Sequence, residues 1–300
     1  MRIGAIAQSP IFAGVKPPYI SDDYLAQFVE AALREDVGDG DHSTLAAIPA
    51  NAVGSAALLV KDQGIIAGVA LAHHIFTSID PDIGIETLIP DGKAVKSGDI
   101  VFRVSGSART ILTLERLVLN CMQRMSAIAT KTHHYVRLVE GTGVQILDTR
   151  KTTPNFRQLE KWAVLIGGGS NHRLGLFDMI MLKDNHIDMA GGISAAINRT
   201  KDYLRATGKS LPIEIETRNL AEVEQVLQTG GVDIIMLDNM KPEQLRQAVR
   251  LISGRFRTEA SGGITEESIR EIAECGVDYI SVGALTHAVK SMDLSLKAQL

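Results

Sequence analysis

The sequence predicts an α/β protein whose C-terminal half is a parallel βα barrel. After Gly143, short apolar segments alternate with amphipathic stretches, and several of the segments begin roughly twenty residues apart, the length of one βα unit. Each segment ends in a polar residue or a glycine, as strands do when their carboxyl ends carry a binding site. The predicted strands span 144–147, 179–182, 213–215, 234–237, 256–260 and 279–282.

The main competing architecture is a doubly wound sheet, which also alternates strands and helices. Such a sheet commonly carries G-x-G-x-x-G after its first strand, or a G-x-x-x-x-G-K-[ST] phosphate loop. The sequence contains neither pattern at the corresponding place, so the barrel is the better prediction.

The N-terminal part mixes short strands and helices without a βα repeat, which indicates a small α+β layer. One helix is predicted to begin at Ser21, whose hydroxyl can cap it, and Asp22 and Asp23 suit the positive end of that helix. The other predicted elements are a hairpin of strands 56–60 and 65–69, a helix at 71–79, strands within 83–90 and 99–104, and a long helical stretch over 109–139.

Composition excludes several classes of protein. The chain has 300 residues and a net charge of -4, which argues against a nucleic-acid binder because phosphate-backbone affinity needs a broad basic surface. Cys121 and Cys275 lack metal-ligand spacing, as expected of reduced thiols in the cytosol. Residues 1–20 lack a signal-peptide pattern, and no apolar run approaches the ~20 residues of a membrane span. We therefore expect a soluble cytoplasmic protein that binds neither nucleic acid nor a membrane.

Residues 148–187 carry the strongest signal for a binding site. Arg150, Lys151 and Lys183 follow apolar runs, and Arg173 follows a glycine triplet. A cation at the end of a buried strand or in a tight turn points into a site rather than into bulk solvent. The glycines also let backbone N–H groups approach a ligand without interference from a Cβ atom. The pattern predicts a concave, cationic pocket for a small polyanion.

Other polar segments have simpler interpretations. The acidic turn at 35–41 lacks the ligand spacing of a calcium loop, which favours a solvated turn or a capping role. His73 and His74 are adjacent on a predicted helix and point about 100° apart, so they are poor joint metal ligands. Arg116, taken alone, is interpreted as a surface charge or an ion-pair partner on its helix.

A series of motifs runs in order from about Ser21 to the C-terminus. The motifs are EDVG at 35–38, ER at 115–116, QRMS at 123–126, DTRKT at 148–152, GGGSNHR at 167–173, KDNH at 183–186, EIE at 214–216, LDN at 237–239 and SGGIT at 261–265. This series resembles that of the quinolinate phosphoribosyltransferases, also called nicotinate-nucleotide pyrophosphorylases (carboxylating). Ala127 and Asn155 stand where that family has glycine, and His42 where it has an apolar residue, but every charged motif residue is present.

The resemblance implies both an architecture and a reaction. It implies an N-terminal α+β open-faced sandwich over 1–120, joined by the C-terminal tail 287–300, and an incomplete βα barrel of six or seven strands over 121–286. It implies a homodimer or a hexamer built as a trimer of dimers. It also implies that quinolinate and 5-phosphoribosyl 1-pyrophosphate (PRPP) react to nicotinate mononucleotide, pyrophosphate and CO2 in de novo NAD biosynthesis, with Mg2+ as cofactor.

The resemblance further assigns roles by motif match. Arg116 would reach into the site of the neighbouring subunit. Glu216 and Asp238 would face the ribose and the Mg2+ ion, and together with Lys151 they are the expected catalytic residues. The remaining expected substrate-binding residues are Thr149, Arg150, His172, Arg173, Lys183, Ser261, Gly262, Gly263, Val282, Gly283 and Ala284.

Three alternatives stay open at this point. A paralogous group linked to molybdate transport shares much of the pattern and would use a different acceptor. A barrel lyase or aldolase would use Lys151 or Lys183 as a Schiff-base nucleophile. A non-catalytic sensor would bind PRPP without turnover. Five further residues are interpreted as structural, the last three as barrel packing: His186, His287, Trp162, Met179 and Met181.

Overall fold

A computed structural model describes residues 16–299 of the chain. In chain order its elements are α1 (Asp22–Asp36), α2 (His42–Ala47), β1 (Val53–Val60), β2 (Gly64–Ile65), α3 (Val69–Ile79), β3 (Gly84–Thr87), β4 (Ala94–Val95), β5 (Ile100–Ser107), α4 (Ala108–Leu138), β6 (Gln145–Leu147), α5 (Arg157–Ile166), β7 (Ile180–Leu182), α6 (Asp184–Ala190), α7 (Ile193–Thr207), β8 (Ile213–Thr217), α8 (Leu220–Thr229), β9 (Ile234–Asp238), α9 (Pro242–Ile252), β10 (Arg257–Ser261), α10 (Ile269–Ala273), β11 (Tyr279–Ser281), α11 (Ala284–His287) and β12 (Leu294–Gln299). No helix in this part of the chain is long and apolar enough to cross a membrane.

The described residues form two compact units. One contains residues 134–152 and 169–287, and the other contains 16–133, 153–168 and 288–299. The expected absence of a signal peptide rests on residues 1–20, of which 1–15 lie outside the described range, as does residue 300 of the predicted C-terminal tail.

The first unit is built on a parallel sheet of six strands. Its strand order is β6-β11-β10-β9-β8-β7, so the first strand of the unit lies beside the last. All six strands predicted from the sequence are present, each within two residues of its predicted ends, which confirms the α/β fold class. Among the described residues no ladder joins β6 to β7. A single bridge between Leu147 and Ser170 stands near that edge, and the barrel is therefore incomplete.

The strands of this unit all present their carboxyl ends at one edge, because helices carry the chain back between successive strands. Local sequence signals determine where those helices begin. The Asn219 side chain accepts a hydrogen bond from Glu222 N–H at 3.0 Å and caps α8. Every residue of β8 is buried, although that strand carries Glu214 and Glu216. Two charged side chains inside a buried strand are unusual and indicate a functional site.

The second unit contains an antiparallel sheet with the order β12-β1-β5-β3 and a small β2-β4 pair. The C-terminal β12 pairs with β1 in the register that sets Leu58 opposite Leu296. The predicted helix at Ser21 is confirmed, since the Ser21 hydroxyl accepts from Tyr24 N–H at 3.1 Å and caps α1. Asp41, in the acidic turn, likewise caps α2 by accepting from Thr44 N–H at 3.0 Å.

The predicted hairpin over 53–70 is wrong. β1 pairs with β5 and β12, whereas Gly64 and Ile65 pair with β4. Residues from Val69 onward belong to α3, because the buried Asp91 carboxylate accepts hydrogen bonds from the backbone N–H groups of Val69 and Ala70. That cap comes from a residue far along the chain, so the apolar run alone could not reveal it.

The predicted domain boundary at residue 120 also differs from the observed division. Helix α4 is a single helix that continues through residue 120, and residues 153–168 group with the N-terminal unit. The reason lies in how α5 packs. The fully buried Glu160 of α5 accepts from Arg124 of α4 at 2.8 Å. A Cβ at Gly167 would lie 2.4 Å from the Ala129 carbonyl oxygen, so only glycine permits this approach.

Candidate active site

A cavity of about 790 Å³ opens at the carboxyl ends of the six parallel strands. Segments that follow β6, β7, β9 and β11, together with the ends of β8 and β10, contribute its walls. Fourteen of the fifteen site residues expected from the sequence line it: Thr149, Arg150, Lys151, His172, Arg173, Lys183, Glu216, Asp238, Ser261, Gly262, Gly263, Val282, Gly283 and Ala284.

Four cations converge on this cavity, and we call Arg150, Lys151, Arg173 and Lys183 the cation cluster. Arg173 is almost wholly buried, and one of its guanidinium nitrogens donates to the Met179 carbonyl at 3.2 Å. Burial lowers the pKa of Arg173, and the nearby positive charge of Arg150 lowers it further. Packing like charges this closely costs free energy, which a bound anion would recover. The arrangement is suited to polyanions.

The backbone around Lys151 is held from two sides. Its N–H donates to the Thr149 hydroxyl at 3.1 Å, and its carbonyl accepts from the Thr286 hydroxyl at 2.7 Å. A Cβ on Gly283 would lie 3.0 Å from Cδ of Lys151, so a glycine there keeps the lysine stem in place. The Lys151 side chain therefore extends from a backbone that hydrogen bonds hold in place.

Two of the four carboxylates that line the cavity, Glu216 and Asp238, lie at strand ends. Glu216 lies at the end of β8, with Oε2 at 3.1 Å from Nζ of Lys183. Asp238 ends β9, and its Oδ2 accepts from the Asn239 amide at 2.6 Å. Carboxylate oxygens are hard ligands of the kind that Mg2+ prefers, so this donor set fits a magnesium ion that also binds substrate phosphates.

After β10, Gly262 and Gly263 bring backbone peptide groups to the cavity surface, and we call these two residues the glycine edge. Gly262 has φ +91°, and a Cβ there would lie 2.3 Å from Oδ1 of Asn239. Both the backbone conformation and the close contact require glycine. The exposed peptide groups of Gly262 and Gly263 are the type of surface that binds a phosphate group.

A second charged group lies deeper, and we call His172, Glu214 and Glu259 the buried cluster. Nε2 of His172 lies 2.9 Å from Glu214 Oε2 and 3.4 Å from Glu259 Oε2. Both glutamates have no exposed surface. Sequence reasoning assigned neither of them a role. The available signal was a glutamate at the second position of β8 and at the middle position of β10.

The buried cluster retains a proton at neutral pH. Burial, with the charge of Glu259 adding to it, raises the pKa of Glu214 to about 7. Burial lowers the pKa of His172, but Glu259 and Glu214 outweigh it and raise that pKa to about 10. Nδ1 of His172 accepts a hydrogen bond from Arg173 N–H at 2.8 Å, which a doubly protonated ring could not do. The geometry therefore places the retained proton on the carboxyl side and leaves His172 neutral, with its ring proton on Nε2, 2.9 Å from Glu214 Oε2.

Asp148 ties the two anion-binding segments together. It is fully buried at the end of β6, just before Arg150 and Lys151. One carboxylate oxygen accepts from His172 N–H at 2.9 Å, and the other accepts from the Asn171 amide at 2.6 Å. These bonds lie next to the Leu147–Ser170 bridge and take the place of a continuous ladder at the open edge of the barrel.

The remaining predicted residues divide between the two units. Arg116 lies on α4 of the other unit, with its side chain 60% exposed and its guanidinium 2.9 Å from the Glu115 carboxylate. His186 accepts from Lys183 N–H at 3.0 Å, in agreement with a structural role. His287 and Met181 were interpreted as structural, but both line the cavity. Trp162 packs within the other unit rather than in the barrel, because α5 belongs there.

Comparison with known proteins gives one consistent family. The family models for the C-terminal and N-terminal domains of quinolinate phosphoribosyl transferase match residues 128–297 and 41–126. A quinolinate phosphoribosyltransferase [decarboxylating] of Nicotiana tabacum is 47% identical over 94% of this chain and 85% of its own length. A probable nicotinate-nucleotide pyrophosphorylase [carboxylating] of Bacillus subtilis is 41% identical over 89% of this chain and 90% of its own.

Solved structures agree with the sequence relatives. The crystal structure of NadC from Streptococcus pyogenes has a TM-score of 0.87 and 41% identity, covering 93% of this chain and 97% of that one. The nicotinate-nucleotide pyrophosphorylase from Francisella tularensis has a TM-score of 0.86 and 38% identity, covering 93% and 98%. The likeness spans both units of the fold.

Proposed function

The chain belongs to the quinolinate phosphoribosyltransferase family, and we propose that it converts quinolinate and PRPP to nicotinate mononucleotide, pyrophosphate and CO2 in de novo NAD biosynthesis. One observation carries this proposal for the site itself. Four cations and two carboxylates meet in a single cavity at the strand ends, which matches two polyanionic substrates that react at a cationic centre.

The cation cluster binds the acidic substrates. Quinolinate has two carboxylates and PRPP has several phosphate charges, so bringing both into one cavity requires several cations. Each charge-assisted hydrogen bond contributes roughly 1.5–3 kcal/mol. The planar guanidinium groups of Arg150 and Arg173 suit the carboxylates of quinolinate, because they can bind them in a bidentate way. The peptide groups of Ser261, Gly262, Gly263 and Gly283 take the 5-phosphate, and Thr149, Val282 and Ala284 complete the walls.

Glu216 and Asp238 act at the ribose. The bond from the anomeric carbon to pyrophosphate breaks with its electron pair leaving on the pyrophosphate, and positive charge develops on the ring. A carboxylate near that ring stabilises the transition state more than the ground state. Lys151 and Lys183 neutralise charge on the departing phosphates, and the ion pair of Lys183 with Glu216 holds both groups near the reacting centre.

The pyridine nitrogen of quinolinate then forms the new bond to the anomeric carbon with its lone pair. The ring becomes a pyridinium cation and can accept electrons. Loss of the adjacent carboxylate as CO2 leaves its bonding pair on the ring carbon, which takes a proton from solvent. The cation cluster orients quinolinate so that its nitrogen faces the ribose.

Mg2+ is the expected cofactor, held by Glu216 and Asp238 together with the substrate phosphates. When bound, it neutralises charge on the pyrophosphate leaving group. The oxygen donors at the ends of β8 and β9 are suited to it, although the pairing of Glu216 with Lys183 occupies one of those oxygens. Removing Mg2+ with a chelator should therefore abolish turnover while the protein stays folded.

The assembly completes the site. We propose a homodimer, alone or within a hexamer, in which Arg116 of one subunit reaches the cavity of its neighbour. This assignment is motivated by the position of Arg116 on an exposed helix surface and by its family motif. An additional cation from a second subunit would join the cation cluster where the acid binds.

A cytoplasmic location is also a proposal. The names of two plant relatives describe them as chloroplastic and mitochondrial, so related proteins occupy different compartments. Fractionation of the source cells with an antibody to this chain would test the location, and recovery in an organelle fraction would refute it.

The molybdate-linked paralogue and the non-catalytic sensor are less favoured. Curated relatives at 41–47% identity carry the names of quinolinate enzymes and cover most of the chain. Both alternatives predict that quinolinate gives no product, so an activity assay distinguishes them from the proposed function.

The decisive experiment is a paired assay of the purified protein with Mg2+ and PRPP. One reaction contains quinolinate and the other contains nicotinate, and both are followed for nicotinate mononucleotide, pyrophosphate and CO2. We expect turnover with quinolinate only, with one CO2 for each nucleotide formed. Turnover with nicotinate alone, or PRPP binding without product from either acid, would refute the proposal.

A further inference from the structure

Two buried carboxylates lie at the deep end of the cavity, which Glu259 lines, and the proposed chemistry does not use them. Glu214 precedes Glu216 by two positions on β8, and Glu259 precedes Ser261 by two positions on β10. Side chains two positions apart on a strand share a face, so both glutamates lie one layer deeper than the residues at the cavity mouth. Within residues 16–299 their carboxylate oxygens have no hydrogen-bond partner, and Nε2 of His172 lies at ion-pair distance from both side chains.

Both ring nitrogens of His172 lie close to protein groups. Nε2 faces Glu214 and Glu259, at 2.9 and 3.4 Å. Nδ1 accepts from Arg173 N–H at 2.8 Å, and the backbone N–H of His172 donates to Asp148 at 2.9 Å. The ring thus links the two deep carboxylates to the backbone of Arg173, the most deeply buried member of the cation cluster.

We propose that Glu214 and Glu259 are positioning residues for the acid substrate: they fix the His172 imidazole, which in turn holds the Arg173 backbone and guanidinium in the orientation that binds a pyridine dicarboxylate. The inference rests on the proposed function. It assigns the two glutamates no contact with substrate.

Burying two carboxylates is expensive, and an apolar pair of similar volume would pack with less cost. A directional partner for Nε2 is what apolar side chains cannot supply. An orientation fixed in advance avoids ordering the arginine when the substrate binds. The positioning of His172 therefore accounts for the presence of two buried carboxylates.

The kinetic test uses Glu214→Gln and Glu259→Gln, which keep the size of each side chain and remove its charge. The matched control is Glu224→Gln, an exposed glutamate on α8. Steady-state constants are measured for both substrates beside the wild type. Either variant should raise the KM for quinolinate by about tenfold and leave the KM for PRPP within about twofold. The control should match the wild type.

A merely structural role makes a different prediction. The variants would then lose melting temperature while both KM values stay unchanged or rise together, and that result would overturn the proposal. Should the glutamine variants fail to fold, Glu259→Asp keeps the charge and shortens the reach, and its KM values are interpreted in the same way.

A spectroscopic readout separates this inference from the proposed function. In protein labelled with 15N at its eight histidines, the His172 ring signals are assigned by their loss in His172→Gln. The wild type should show an unprotonated Nδ1 and a protonated Nε2, and both signals should shift in the glutamate variants. Unchanged signals would overturn the positioning role. Absence of quinolinate turnover by the wild type would instead count against the proposed function, and the ring signals would still decide the positioning.

Discussion

The cation cluster and the buried cluster are neighbours on the same barrel, yet they differ in nearly every physical respect. Arg150, Lys151 and Lys183 project from the ends of strands into an open cavity, where a ligand can neutralise them. Glu214 and Glu259 lie inside the strands with no exposed surface, and Nε2 of His172 lies within 3.4 Å of both. One barrel therefore keeps cations that face an open cavity apart from carboxylates that have no exposed surface.

Arg173→Ala should have the largest effect, because it removes a binding cation together with the group that the buried cluster positions. We expect kcat/KM for quinolinate to fall by about 10²-fold or more, since a charge-assisted bidentate contact is lost. The matched variant Arg173→Lys keeps the charge without the planar fork and should recover only part of the loss. Retained activity in a folded Arg173→Ala protein would show that this member of the cation cluster does not bind quinolinate.

Gly262→Ala tests the part of the cavity where we propose that backbone peptide groups, rather than charged side chains, bind the 5-phosphate of PRPP. The new Cβ would lie 2.3 Å from Asn239 Oδ1, so the glycine edge must shift. The KM for PRPP should rise about tenfold while that for quinolinate changes little. Gly254→Ala is the control, because Gly254 also has positive φ (+70°) but open space around it. Equal effects of the two substitutions would mean that backbone strain alone is responsible.

Mixed subunits test whether the cation cluster is completed from outside the chain. Arg116→Ala and Lys151→Ala proteins should each be inactive. If Arg116 acts in the neighbouring site, random mixing gives half heterodimers with one intact site each, or about a quarter of wild-type activity. Differently tagged protomers allow the heterodimer to be verified. An inactive verified heterodimer would restrict the cluster to residues of one subunit.

The pH dependence of stability gives the smallest expected effect and concerns the buried cluster. Burial and the charge of Glu259 raise the pKa of Glu214 from 4.5 to about 7 in the folded state. The stability that the retained proton contributes is therefore complete below pH 4.5 and is lost as the pH rises through 7. The melting temperature of the wild type should fall between pH 4.5 and 7.

Glu259→Gln should flatten this pH dependence by a few degrees, because it removes the charge that adds to burial in raising the Glu214 pKa. Glu224→Gln should follow the wild-type curve. Parallel curves for all three proteins would show that the buried cluster does not retain the proton.

The parallel strands were predictable because each is a short apolar run with a polar or glycine end, and those ends carry the site. The N-terminal sheet was less predictable. β1 looked like half of a hairpin, but its partners β5 and β12 come from distant parts of the chain. An apolar run shows that a strand forms and does not show which strand it pairs with. The grouping of α5 with α4 depends in the same way on a tertiary contact, since the Glu160 carboxylate accepts from Arg124.

The sequence by itself determined the family, the six parallel strands and fourteen of the residues that line the cavity, because these depend on local motifs and on strand ends. Only the tertiary structure decided which charges share an environment. Glu214 and Glu259 are far from His172 along the chain and come within ion-pair distance of it only because β8 and β10 flank β9. Electrostatic interactions depend on distance and burial in three dimensions, and neither quantity is written in the order of residues.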